Sequence, residues 1–81
     1  MVIVEGIMEV DPARRDEFLR GRQGTISAAR TEPGCIEYAF SADAIEPGKV
    51  RIFERWASRA DLDTHLAAPA GPAARGRYSA R

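Results

Sequence analysis

Apolar and polar residues alternate from Val2 to Val10, the two-residue period of a strand with one buried face. Val2, Val4, Met8 and Val10 share one face, with Gly6 between them. Ile3, Glu5, Ile7 and Glu9 share the other. A glycine inside a strand marks a bulge or a close approach by a ligand or another backbone, or makes room for a helix packed above it. The period changes after Val10. Asp11-Pro12 suits a helix entry, because Asp caps well and Pro at the first helical position loses no needed donor. Phe18, Arg22, Thr25, Ile26 and Ala29 follow at helical spacing. Gly21 and Gly24 each weaken that helix by roughly 1 kcal/mol relative to Ala, so it depends on packing.

Pro33-Gly34 ends the helical region. Ile36, Tyr38 and Phe40 then alternate with Cys35, Glu37 and Ala39, predicting a second strand over Cys35 to Phe40. Ser41 to Lys49 contains Asp43, Pro47 and Gly48, all turn formers. A third strand follows from Val50 to Trp56, with Val50, Ile52, Glu54 and Trp56 on one face and Arg51, Phe53 and Arg55 on the other. Two strands joined by a polar turn predict a hairpin. Ser58-Arg59-Ala60-Asp61 approximates a capping box and opens a second helix, whose narrow apolar face carries Leu62, His65 and Leu66. Pro69 and Pro72 stop that pattern. Residues 1–69 therefore read as the domain, and residues 70–81 as a tail rich in Ala, Pro, Gly and Arg, with no strand alternation. Either the unit ends after its second helix or the sequence is cut short. In both cases a sheet edge lacks its partner and invites pairing with another chain.

Composition narrows the functional classes. With 81 residues the chain makes one domain, and its core is marginal, burying only about 60–65% of the surface its unfolded chain exposes. One Cys excludes an internal disulfide framework, and one Cys with one His cannot close a structural metal site. Self-association is the remaining support, so a homodimer is expected. Twelve basic and twelve acidic residues give zero net charge, which argues against a general nucleic-acid partner. No apolar run approaches the ~20 residues of a membrane span, and a strand pattern begins at once, with no signal peptide ahead of it. A cytoplasmic protein is expected. Phosphate-cradling glycine loops and the G-x-S-x-G nucleophile turn are absent.

Four residues carry candidate chemistry. Trp56, at the end of a strand, offers a flat ring and one N–H donor; it also suits a core position holding the second helix to the sheet. His65, on the helix face of Leu62 and Leu66, can take or give a proton near neutral pH; it equally suits a half-buried ring capped by a backbone carbonyl. Glu54 shares a face with Trp56 and is an acid/base candidate, or else the partner of a nearby Arg. Tyr38 can donate to a substrate oxygen or pair with an aromatic across the hairpin. Glu37 points away from Tyr38, and Cys35 reads as a small buried hydrophobe. Lys49 sits in a turn, and Arg75, Arg77 and Arg81 make a basic, solvated end.

The order of these pieces resembles the antibiotic biosynthesis monooxygenase family. The resemblance runs from Val2 to Pro69. It is carried by the first strand with its Asp11-Pro12 helix entry, the Glu32-Pro33-Gly34-Cys35 turn, and Phe53-Glu54-x-Trp56-x-Ser58 followed by Leu62 and His65-Leu66. It implies an α+β, ferredoxin-like antiparallel sheet with two helices on one face, the fourth strand missing or displaced, and sheets packing in a dimeric α+β barrel. It also implies oxidation of small phenols, quinols or anthrones with no metal, haem or flavin. In that chemistry the protein deprotonates the substrate and the carbanion passes an electron to O₂. Trp56 and His65 would then be the pocket donor and the base, with Tyr38 and Glu54 at the substrate. Related haem-degrading members carry an Asn on the first strand and a late helix His; here Gly6 and Arg75 fall near those positions. The rival expectation is a non-catalytic module of the same fold that binds a small ligand or a partner.

Overall fold

The computed structural model describes residues 1–67 and, as a strand, residues 76–80. Its elements are β1 (Val2–Glu9), a short 3-10 turn (Pro12–Arg14), α1 (Arg15–Gly21), α2 (Gln23–Arg30), β2 (Cys35–Ala42), β3 (Lys49–Trp56), α3 (Arg59–Ala67) and β4 (Gly76–Ala80). The strands form one antiparallel sheet in the order β2-β3-β1-β4, the α+β ferredoxin-like arrangement expected. One expectation is corrected. The fourth strand is neither missing nor displaced: Gly76–Ala80 pairs with β1, matching Val4 with Ala80 and Met8 with Gly76. That strand lies inside the segment 70–81 set apart above as a tail. Five short residues of mixed character give no usable alternation, so pairing rather than pattern defines it. The edge of β1 therefore has its partner, and β2 and β4 are the outer strands.

The first helix divides. Arg22, between Gly21 and Gly24, takes φ −94° and ψ −6°, so the chain bends there from α1 into α2. Two glycines with little helical preference allow that bend where a run of better helix formers would resist it. Asp11 caps the 3-10 turn as expected, its Oδ1 accepting the Ala13 N–H at 3.0 Å. Gly6 marks no bulge in β1: it pairs in unbroken register with Ile52 on one side and Tyr78 on the other.

Helices and sheet meet over one face. Val4, Met8, Val50, Ile52, Tyr38 and Trp56 from the strands pack with Ala29 of α2 and Leu62 of α3, while Phe18, Leu19 and Ile26 close the sides. The opposite face carries Ile3, Ile7, Ala39 and Phe53, all partly exposed, among charged neighbours such as the Arg55–Glu37 pair at 3.0 Å. A bulge between Cys35 and Glu37 changes the phase of β2. Cys35 consequently turns toward the core beside Trp56, and Ile36, expected to share a face with Tyr38, is half exposed.

Two turns hold the frame. In the β2–β3 loop the Asp43 carboxylate accepts the N–H groups of Ile45 and Glu46 at 3.0 and 2.8 Å and the Arg51 Nε–H at 2.8 Å. These donors hold its carboxyl down to about 2. Arg15 of α1 reaches the same loop and donates to the carbonyls of Asp43, Glu46 and Lys49. The second turn, Glu32-Pro33-Gly34, joins α2 to β2. Gly34 sits at φ +79°, where L-residues are strained, and lies against the Asp61 side chain. The Gly34 carbonyl accepts the Ala57 N–H at 2.7 Å, tying the start of β2 to the end of β3.

A Cβ at position 34 would overlap the Asp61 carboxyl and disturb the Ser58–Asp61 cap as well as strain the backbone. Gly34→Ala is expected to destabilise the fold by roughly 1–3 kcal/mol. Urea unfolding followed by Trp56 fluorescence checks this, and an unchanged midpoint would refute it.

Candidate functional site

At the end of β3 the strand alternation turns Glu54 and Trp56 to the helix side, both buried. Across the hairpin, Tyr38 pairs with Glu54 and Cys35 with Trp56. Immediately after β3, Ser58 starts α3. Its Oγ accepts the Asp61 N–H at 3.1 Å and its hydroxyl donates to Asp61 Oδ2 at 2.9 Å, the capping pair read from the sequence. Leu62 anchors α3 in the core, 1% exposed. One helical step further, His65 is brought over the two buried β3 side chains.

The structure thus brings all four sequence candidates together. The His65 ring lies over Trp56 with centroids 4.7 Å apart and meets Tyr38 edge-on at 5.4 Å. Tyr38 in turn stacks on Phe40 of its own strand at 5.6 Å. Trp56 Nε1 donates to Glu54 Oε1 at 2.9 Å. The N–H that the sequence offered to a substrate is therefore engaged by Glu54, and Glu54 is held by Trp56 rather than by an Arg. His65 Nε2 lies 3.9 Å from the same Glu54 oxygen, too far for a direct hydrogen bond.

Sequence reasoning missed one member, Glu32. Its Oε2 lies 2.6 Å from His65 Nδ1. The signal for it was the hairpin itself. Antiparallel pairing sets the start of β2 opposite the end of β3, so a residue just before β2 lies beside one just after β3. Glu32 precedes Cys35 by three positions and faces the helix that follows Trp56.

Charge in this cluster is sparingly hydrated. Glu54 is 5% exposed, and burial pushes its carboxyl up, an effect that the Trp56 hydrogen bond and the His65 charge partly offset and that Glu32 reinforces. Burial also raises the Cys35 thiol, with Glu32 and Glu54 adding to the effect. A raised thiol is a poor nucleophile, in keeping with Cys35 as packing. Among the described residues, no group of three or more His, Cys, Asp or Glu is arranged to hold a metal ion, and no helix is long and apolar enough to cross a membrane. An open groove of about 580 Å³ runs elsewhere, between Val10 and Thr25 along α1 and α2, and none of the four candidates lines it.

Protonation of Glu54 favours the folded state, because the buried carboxyl holds its proton more tightly than the unfolded chain does. The stability this contributes is complete below the unfolded value of 4.5 and is lost as pH rises through the raised folded value. Glu54→Gln, which cannot ionise, is expected to flatten that part of the stability–pH curve. Parallel urea titrations of both proteins test this; an unchanged slope in the variant would assign it to other groups.

The chain resembles known proteins over most of its length. A family model described as antibiotic biosynthesis monooxygenase matches residues 1–76. The uncharacterized protein sll1783 of Synechocystis is 40% identical over 68 residues, covering 84% of this chain and 46% of that protein. The chain thus spans about half the length of that relative. The Bacillus subtilis protein named "putative monooxygenase YcnE" is 26% identical over 65 residues, covering 80% of this chain and 68% of that one. A Deinococcus radiodurans crystal structure named "putative antibiotic biosynthesis monooxygenase" superposes with a TM-score of 0.86, covering 100% of this chain and 90% of that one at 24% identity, a likeness of fold.

Proposed function

The chain belongs to the antibiotic biosynthesis monooxygenase family, and from that premise we propose that it is a cytoplasmic, cofactor-independent monooxygenase acting on small aromatic phenols, quinols or anthrones. The observation that carries this reading is the facing pair of His65 Nε2 and the buried Glu54 carboxyl, 3.9 Å apart. A hydroxyl seated to one side of the pair can bridge it, donating its proton to His65 Nε2 and accepting from a protonated Glu54 carboxyl, as a phenol or an enolised anthrone provides. The polar cluster in an otherwise apolar layer favours a small-molecule site over a fully apolar, filled interior, and oxygen uptake separates catalysis from the rival, a non-catalytic module that binds a small ligand or a partner.

In this reading His65 takes the substrate proton at Nε2 and Tyr38 holds the aromatic ring beside it, while the fully buried Trp56 backs the imidazole. The resulting carbanion gives one electron to O₂, and the substrate radical and superoxide combine to form a C–O bond. Protonation of the distal oxygen and loss of the remaining C–H proton at that carbon release water and leave a carbonyl. One oxygen atom enters the product and the other leaves as water, with the substrate supplying all the electrons. Trp56 contributes indirectly as well, because its N–H keeps Glu54 in place.

Oxygen uptake with a panel of anthrones and hydroquinones tests the proposal, and no uptake above the protein-free rate on any of them would sink it. With an active substrate, His65→Ala is expected to lower turnover by about 10²–10⁴-fold, the usual loss for a positioned base. Trp56→Phe keeps the ring but orphans Glu54, so it should cost stability of roughly 1–3 kcal/mol along with activity. Full turnover in folded His65→Ala would move the base elsewhere.

We also propose a homodimer, formed through the sheet face of Ile3, Ile7, Ala39 and Phe53. The support is an apolar centre left partly exposed by a small domain. Sedimentation equilibrium at micromolar concentration should give twice the chain mass, and Phe53→Glu should shift it toward the monomer. A monomer of ordinary stability in the parent protein would refute this.

A further inference from the structure

We infer that Glu32 is a positioning residue: its carboxylate accepts the Nδ1–H of His65 and fixes the imidazole in the tautomer whose Nε2 lone pair faces Glu54. Its catalytic meaning rests on the reading of His65 as the base; the tautomer itself does not. A carboxylate only accepts hydrogen bonds, so at 2.6 Å the proton of a neutral imidazole lies on Nδ1. The ring has little freedom to turn away, since Trp56 lies against it at 4.7 Å and Tyr38 at 5.4 Å. The opposite nitrogen is then the acceptor, and it faces Glu54 Oε1.

The turn that carries Glu32 is itself braced. The Glu32 N–H donates to the Ala29 carbonyl and its carbonyl accepts the Cys35 N–H, each at 3.1 Å. Two residues on, Gly34 lies against Asp61 and receives the Ala57 N–H. Asp61 and His65 stand four positions apart on α3, hence on one helix face. The turn therefore meets α3 at two points one helical turn apart. Glu32 sets the side chain at one of them, and Gly34 sets the approach at the other. A surface ion pair would need none of this bracing, and the His65 side chain is only 18% exposed.

The sole histidine gives a spectrum free of overlap. Untagged, ¹⁵N-labelled protein at about pH 8, above the ordinary imidazole range, should show a protonated Nδ1 and an unprotonated Nε2. Glu32→Ala should convert the ring largely to the Nε2–H form that an unpartnered imidazole prefers. It should also reduce anthrone-dependent oxygen uptake by up to ~10²-fold. An imidazolium or an Nε2–H ring in the parent protein overturns the inference, as does an unchanged Nδ1–H in Glu32→Ala. Should the alanine variant fail to fold, Glu32→Leu keeps the bulk of the stem and is judged by the same criterion; the parent spectrum decides alone if neither folds. A parent protein with the Nδ1–H ring but no oxygen uptake would fail the monooxygenase reading and leave the tautomer assignment standing.

Discussion

A carboxyl group in the apolar layer between a sheet and its helices loses its water and must find partners within the protein. Glu54 is that group, and the surrounding architecture meets its needs. Trp56, two residues along the same strand, shares its face and supplies a donor at 2.9 Å. His65 is carried over both by a helix whose start is fixed by Ser58 and whose body is anchored by Leu62. Removing the Trp56 donor leaves the Glu54 carboxyl buried without its hydrogen-bond partner, which costs more than the bond itself contributes. A core as small as this one has little stability to spare for such a group. The catalytic role proposed for the cluster would account for keeping such a group.

The cluster depends in turn on three backbone features distant from one another in sequence. Antiparallel pairing aligns the start of β2 with the end of β3. The bulge after Cys35 corrects the strand phase so that both Cys35 and Tyr38 reach the helix side. The left-handed Gly34 lets the turn before β2 approach α3 closely enough for Glu32 to reach His65. Each is a local geometric solution, and together they bring side chains from the α2–β2 turn, β2, β3 and α3 to one place.

The sequence made part of this legible. Period-two patterns located β1, β2 and β3, Ser58 and Asp61 marked the start of α3, and face-sharing by Glu54 and Trp56 followed from alternation alone. What escaped were features set by pairing rather than by pattern. Gly76–Ala80 is too short to announce a strand, and becomes one by bonding to β1. The bulge that exposes Ile36 leaves no mark in residue type. Glu32 looked like a turn residue because its role depends on His65, which lies 33 positions away. The Trp56 N–H looked available because only the fold shows Glu54 accepting it.

The central place of β1 has a kinetic side. It precedes the other three strands in sequence, yet it lies between β3 and β4 and finds its second neighbour only after every other element has been made. A sheet closed by its two most distant strands has a high contact order, which slows folding because chain entropy is lost before those contacts form. During synthesis β1 can pair with β3 once the hairpin has emerged, while its other edge stays open until β4 has followed. An open edge in that interval can recruit a strand from a neighbouring nascent chain. The short β4 therefore governs how safely the domain is made as well as how its sheet is completed.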